Sequence, residues 1–190
     1  MTRNKVEVAP FSISPVEDFT VFSGFSCLSP KDTDRDLDDF ILNDAESHCR
    51  DKIAVTYGLF MEEFPSPLGF ATLQNDAIVI EQEGFPPNEV AGYPYKSFPA
   101  VKIGRLGIAF QHQRKSLGTL FLVLLKELMC SENRTGCRFI TVDARRDKRN
   151  KVDATAFYER NGFALLPYRA KTSRSVPMYF DLMRFKYTAP

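Results

Sequence analysis

Apolar positions along the chain recur in two rhythms, every second residue or at three- and four-residue steps. The first predicts a half-buried strand and the second a helix. Phe11 to Val21 alternates and predicts an opening strand. Leu37, Phe40, Ile41 and Ala45 form a helical stripe reaching about His48, with Asp32 or Thr33 placed to cap it. Lys52–Met61 and Leu68–Leu73 read as two strands joined by a turn at Pro65-Ser66-Pro67. Val101–Phe110 (VKIGRLGIAF) is a short apolar strand. After it, Leu117, Leu120, Phe121, Leu124, Leu125, Leu128 and Met129 lie on one helical face. Arg138–Val142 predicts another strand. Alternation of Val176, Met178, Phe180 and Leu182 predicts a last one over Val176–Met183, antiparallel to a strand starting near Phe163.

Composition bounds the class. A chain of 190 residues is expected to form one domain, 1–190, burying roughly 70% of its unfolded surface. Apolar content of 44% and charged content of 26% are ordinary for a soluble globular protein. A net charge of +1 gives no global pull toward nucleic acid or an anionic membrane. No apolar run approaches the roughly 18–20 residues of a membrane span, and the first residues lack the apolar centre of a signal peptide. Cys27, Cys49, Cys130 and Cys137 have irregular spacing without a C-x-x-C, which reads as reduced thiols in a cytoplasmic protein. With His48 and His112 the only histidines, no metal centre is expected.

The chemistry concentrates at Gln113-Arg114-Lys115-Ser116-Leu117-Gly118, between the 101–110 strand and the following helix. A strand that turns through a small-residue loop into a helix aims backbone N–H groups and the positive helix end at one point, which suits a phosphate. The loop has neither the two glycines and Gly-Lys-Ser/Thr ending of a Walker loop nor a G-x-G-x-x-G. It resembles the Q/R-x-x-G-x-G/A motif of GCN5-related N-acetyltransferases. Further on, Ala154-Thr155-Ala156-Phe157-Tyr158-Glu159-Arg160-Asn161-Gly162-Phe163 resembles the A-x-x-F-Y-x-x-x-G-F signature of the same family. The pair in order, with a strand between, is far more specific than either alone.

The resemblance implies an α/β fold with a mixed, mostly antiparallel twisted sheet of six to seven strands flanked by helices, its central strand pair splayed. It implies acetyl-CoA as cosubstrate. The pantetheine arm would pair with the backbone of Leu106, Gly107 and Ile108. The pyrophosphate would lie over Gln113, Arg114, Lys115, Ser116, Leu117, Gly118 and Thr119. Tyr158 would be the general acid that protonates the departing thiolate. The family's first motif glycine is Ser116 here, which narrows the accessible backbone shapes. Relatives often carry a coenzyme-binding asparagine seven residues before this tyrosine; Lys151 stands there, with Asn150 one step earlier. Val101–Phe110 has no carboxylate to act as base, leaving Asp143 or ordered water. The aromatics Phe85, Tyr93, Tyr95 and Phe98, in the Gly- and Pro-rich stretch from about Glu81 to Pro99, either shape an acceptor pocket or pack back on the sheet.

These features imply an N-acetyltransferase acting on a primary amine, of a small molecule or a peptide. The segment DLDDFILNDAESHCRDKIAVTYGLF also resembles toxins that acetylate aminoacyl-tRNA, and the basic run Arg145, Arg146, Lys148, Arg149 and Lys151 could meet RNA or the coenzyme 3′-phosphate. A non-catalytic acyl-CoA-binding regulator is the third reading. Homodimers are common in the family, and no membrane partner is expected.

Overall fold

The computed structural model describes residues 5–29, 35–79, 90, 92–131, 135–147, 152–166 and 174–185. The strands are β1 (Val6–Val8), β2 (Phe11–Pro15), β3 (Val55–Met61), β4 (Phe64–Val79), β5 (Ser97–Ile108), β6 (Phe139–Asp147), β7 (Val152–Asp153), β8 (Ala164–Leu165) and β9 (Ser175–Asp181). The helices are α1 (Asp36–Asp39), α2 (Ala45–Arg50), α3 (Leu117–Ser131) and α4 (Thr155–Arg160). Two compact units are present. One comprises Met1–Gln74, Ile103–Asn133 and Phe185–Pro190, the other Asn75–Lys102 and Arg134–Arg184.

In the first unit the strands follow the order β1-β2-β3-β4-β5; in the second it is β4-β5-β6-β9-β8, with β7 on β6. β4 and β5 are long enough to run through both. The pairings β1–β2, β2–β3, β3–β4, β6–β7, β6–β9 and β8–β9 are antiparallel. The expected six to seven strands correspond to the longer elements, and β1, β7 and β8, of two or three residues, add to them.

Three expectations needed correction. The opening strand stops at Pro15, because Asp18 accepts hydrogen bonds from the Thr20 N–H (2.9 Å) and hydroxyl (2.6 Å) and turns Phe19–Phe22 into a 3-10 helix. The hairpin turn is at Glu62-Glu63, not at Pro65-Ser66-Pro67. The register jumps from Met61 opposite Phe64 to Leu59 opposite Gly69, so the prolines lie in a bulge of β4, where a missing N–H costs no ladder bond. Finally, the first long helix begins at Asp36 and passes through a π segment, Phe40–Asp44, in which the Ala45 N–H donates to the Phe40 carbonyl. The caps expected at Asp32 or Thr33 lie outside the described residues.

That helix buries Phe40, Ile41 and Ala45 as the stripe requires, in a cluster with Val16, Phe22, Phe25, Cys27, Phe70 and Ala109. In α3, Leu117, Phe121, Leu124, Leu125 and Leu128 are buried, Leu120 and Met129 half-buried. The core of the second unit joins Ile78, Val90, Phe98, Ala100, Phe139, Leu166 and Tyr179. β9 is buried along nearly its whole length, consistent with its place between β6 and β8.

Candidate functional site

In the first unit, β5 ends at Ile108 and a 3-10 turn, Phe110–His112, leads into the loop before α3. Gln113 is extended, Arg114 has φ +59° and Ser116 has φ +61°. Both are left-handed conformations, which a non-glycine residue adopts at a cost of about 1 kcal/mol or more. Ser116 therefore holds the backbone shape that a glycine would take freely. Its carbonyl accepts the Leu120 N–H (3.0 Å), which starts α3. In the first turn, the N–H groups of Leu117, Gly118 and Thr119 have no acceptor within an α-helix. Arg114, Lys115 and Ser116 are exposed beside them. Burial, and after it the charge of Lys115, lowers the His112 pKa. Two cations, a helix start and a turned backbone thus lie together on one exposed loop, an arrangement that suits an anion.

Gln113 faces inward. Its side-chain amide donates to the carbonyls of Cys27 (2.6 Å) and Ile108 (3.0 Å). The Ser26–Cys27 segment is held in turn by Asp38, which is 1% exposed. Asp38 accepts from the Ser26 hydroxyl (2.5 Å) and the Cys27 N–H (2.7 Å). The Ser26 carbonyl accepts the Phe110 N–H (2.8 Å). Sequence reading missed Ser26, Cys27 and Asp38, because contacts between segments separated by 11 or more residues leave no periodic trace.

The carboxylate-free strand β5 carries Arg105 instead. Its guanidinium lies 3.8 Å over the Phe40 ring and 4.0 Å from Asp36, and the Arg105 backbone N–H donates to the Thr72 hydroxyl (2.9 Å). Gly107 is required by packing: a Cβ there would come within 2.6 Å of the Cys27 sulfur and 2.8 Å of Phe70. Leu106 and Ile108 on either side are half-buried. Burial, and after it the Asp38 charge, pushes the Cys27 thiol up to about 12. An open cavity of about 290 Å³ adjoins the same segment, between Phe25 and Ser26, Ser66 and Pro67, and Ala109 to Gln111.

In the second unit, Tyr158 sits on α4, which ends at Arg160 and is followed by Gly162 in a left-handed conformation (φ +82°). Its ring is buried edge-on against Phe157 (5.1 Å) and Phe163 (5.3 Å), and that burial pushes its pKa well above the ordinary phenol value. Asp143 is ion-paired with Lys102 at 2.5 Å. Arg146 pairs with Asp153 (3.5 Å). Asn150, Lys148, Arg149 and Lys151 lie outside the described residues, as does Phe85. Tyr93 and Tyr95 are exposed with nearly parallel rings 6.4 Å apart, each edge-on to the buried Phe98. Among the described residues no group of acids, histidines and cysteines could hold a metal, and no helix is long and apolar enough to cross a membrane.

At the level of sequence, no family model and no curated protein matches the chain. Solved structures do match. A tyrosine-to-phenylalanine mutant of KacT aligns with a TM-score of 0.68 at 19% identity, over 92% of this chain and 96% of that one. AtaTR bound with acetyl-CoA aligns with a TM-score of 0.65 at 22% identity, over 92% and 95%. AtaT complexed with acetyl-methionyl-tRNAfMet aligns with a TM-score of 0.63 at 18% identity, over 91% and 95%. The chain therefore has the GCN5-related N-acetyltransferase fold. Its arrangement of strands and helices is similar to those of KacT and the AtaT toxin.

Proposed function

We propose that residues 1–190 form one acetyl-CoA-dependent N-acetyltransferase domain whose acceptor is a primary amine. The observation that carries this reading is the loop between β5 and α3, whose left-handed Arg114 and Ser116 turn the backbone over a helix start flanked by two cations. On this reading the backbone N–H groups from Arg114 to Thr119 hold the pyrophosphate, with Arg114 and Lys115 supplying charge. Gln113 serves by fixing the loop. The backbone of Leu106, Gly107 and Ile108 pairs with the amides of the pantetheine arm, and Asn150 takes a further amide. The acceptor nitrogen attacks the thioester carbon, the C–S bond of the tetrahedral adduct breaks as Tyr158 donates its proton to the sulfur, and the proton shed by the nitrogen leaves through ordered water, which restores the phenol. Burial disfavours the phenolate, so Tyr158 is a weaker acid than a free phenol. A thiolate leaving into the same dry surroundings is made more basic by the same effect, which keeps donor and acceptor matched.

Acetyl-CoA accompanies AtaTR in its solved structure, and an acetylated methionyl-tRNA accompanies AtaT. These neighbours favour the α-amino group of an aminoacyl-tRNA as acceptor over a lysine side chain. Chemistry points the same way. An α-amino group, with an ordinary pKa near 7.7–8.0 against about 10.4 for lysine, is roughly 20–30% neutral near physiological pH, where lysine is about 0.1% neutral. It needs no carboxylate base on β5, and Asp143 is engaged by Lys102.

Two measurements test the proposal in sequence. Isothermal titration with acetyl-CoA and coenzyme A is expected to give micromolar binding; no binding up to millimolar donor would exclude the transferase. Transfer of labelled acetyl to charged tRNA, compared with uncharged tRNA and with lysine peptides, then decides the acceptor. Donor binding without transfer to any amine would leave a coenzyme-binding regulator.

A further inference from the structure

We infer that Asp38 is a positioning residue for the anion-binding loop, acting through a relay of hydrogen bonds; the inference rests on the donor-site reading above. The loop residues Arg114 and Ser116 keep φ values of +59° and +61° that their own side chains disfavour. Such conformations persist where the surroundings over-determine them. Here the surroundings are specific. Asp38 grips Ser26 through its hydroxyl (2.5 Å) and Cys27 through its N–H (2.7 Å). That grip aims two carbonyls outward. The Ser26 carbonyl takes the Phe110 N–H at the entry to the turn (2.8 Å). The Cys27 carbonyl takes the Gln113 amide (2.6 Å), one residue before the first left-handed position. The same amide reaches the Ile108 carbonyl at the end of β5 (3.0 Å). One carboxylate on the first helix, 1% exposed, thus fixes both anchors of a loop more than 70 residues further along.

Shape matters here more than charge. The donor N–H groups of the loop are useful only if they converge, and the relay sets their convergence without touching the ligand. A residue that merely supported the core would affect stability alike whatever occupied position 116. One that positions the loop should matter most while Ser116 must be held against its preference, and least when a glycine takes the same φ freely.

The test titrates coenzyme A into the full chain by calorimetry, with thermal unfolding as the fold control. The variants are Asp38→Asn and Ser26→Ala, each in the natural and in the Ser116→Gly background. Loss of hydrogen bonds to a charged group should weaken binding about tenfold in Asp38→Asn and about threefold in Ser26→Ala. In the Ser116→Gly background both losses should shrink to less than about twofold. Equal losses in the two backgrounds, or unchanged affinity in a folded Asp38→Asn, overturn the inference and leave the donor site standing. Absence of binding by the natural sequence overturns the donor reading and this inference with it. If Asp38→Asn does not fold, the Ser26→Ala pair decides by the same comparison.

Discussion

Ser116 illustrates how a residue can hold a shape that its chemistry resists. At φ +61° a glycine avoids the Cβ clash, so Ser116→Gly is expected to stabilise the fold by about 0.5–1 kcal/mol, net of its greater freedom when unfolded. A β-branched replacement such as Ser116→Val should cost about 1–2 kcal/mol and weaken coenzyme A binding. Chemical denaturation of the three proteins checks this; a Ser116→Gly protein less stable than the natural one would mean that the serine hydroxyl has a role outweighing the strain. Tyr158 yields a second expectation. Tyr158→Phe keeps the edge-on contacts with Phe157 and Phe163 and should fold normally while kcat falls about 100-fold. Because burial raises the phenol pKa, the natural enzyme should show no alkaline loss of rate from this group below about pH 10. An activity drop centred near pH 8 that vanishes in Tyr158→Phe would contradict the assignment.

Among the elements, α3 was readable because its apolar stripe is long and regular, yet it hides an exception. Lys126 is 5% exposed, and burial pushes its ammonium down to about 8 from the ordinary 10.5. A base lowered in the folded state binds fewer protons there than when unfolded between about pH 8 and 10.5, so stability gained from it rises with pH across that window and is lost as pH falls through about 8. Lys126→Met should therefore be more stable than the natural protein at pH 7, on the order of 1–3 kcal/mol. That advantage should narrow by pH 10.5. A constant difference across the range would show that the lysine is not desolvated as its burial suggests. Other elements were less legible. The Pro65-Ser66-Pro67 run carries the residues of a turn, but the bulge against Phe60 absorbs it inside β4. β7 and β8, at two residues each, are too short for any rhythm. Asp38 sits in an acidic first turn that reads as a solvated helix start, and its burial depends on the Ser26–Cys27 segment folding back over it. Gln113 was visible as a motif residue, whereas its inward aim depends on carbonyls that sequence does not position.

At the scale of the whole molecule, the fold is similar to that of structures at 17–22% identity, so one backbone plan is compatible with largely different side chains. A ligand bound by the folded form alone should then raise the stability of the entire chain. At coenzyme A concentrations about 100-fold above the dissociation constant the gain is about 2.7 kcal/mol. For a protein of this size that is a rise in Tm of roughly 5–10 °C; adenosine, which lacks the pyrophosphate, should produce almost none. An equal shift with adenosine would point to a base pocket in place of an anion loop. The division into two compact units carries one more consequence, for the chain as it is made. The first unit combines Met1–Gln74 with Ile103–Asn133 and Phe185–Pro190, so Asn75–Lys102 and Arg134–Arg184 of the second unit are synthesised in between. Neither unit is contiguous in sequence, so during synthesis neither can be completed before part of the other has emerged.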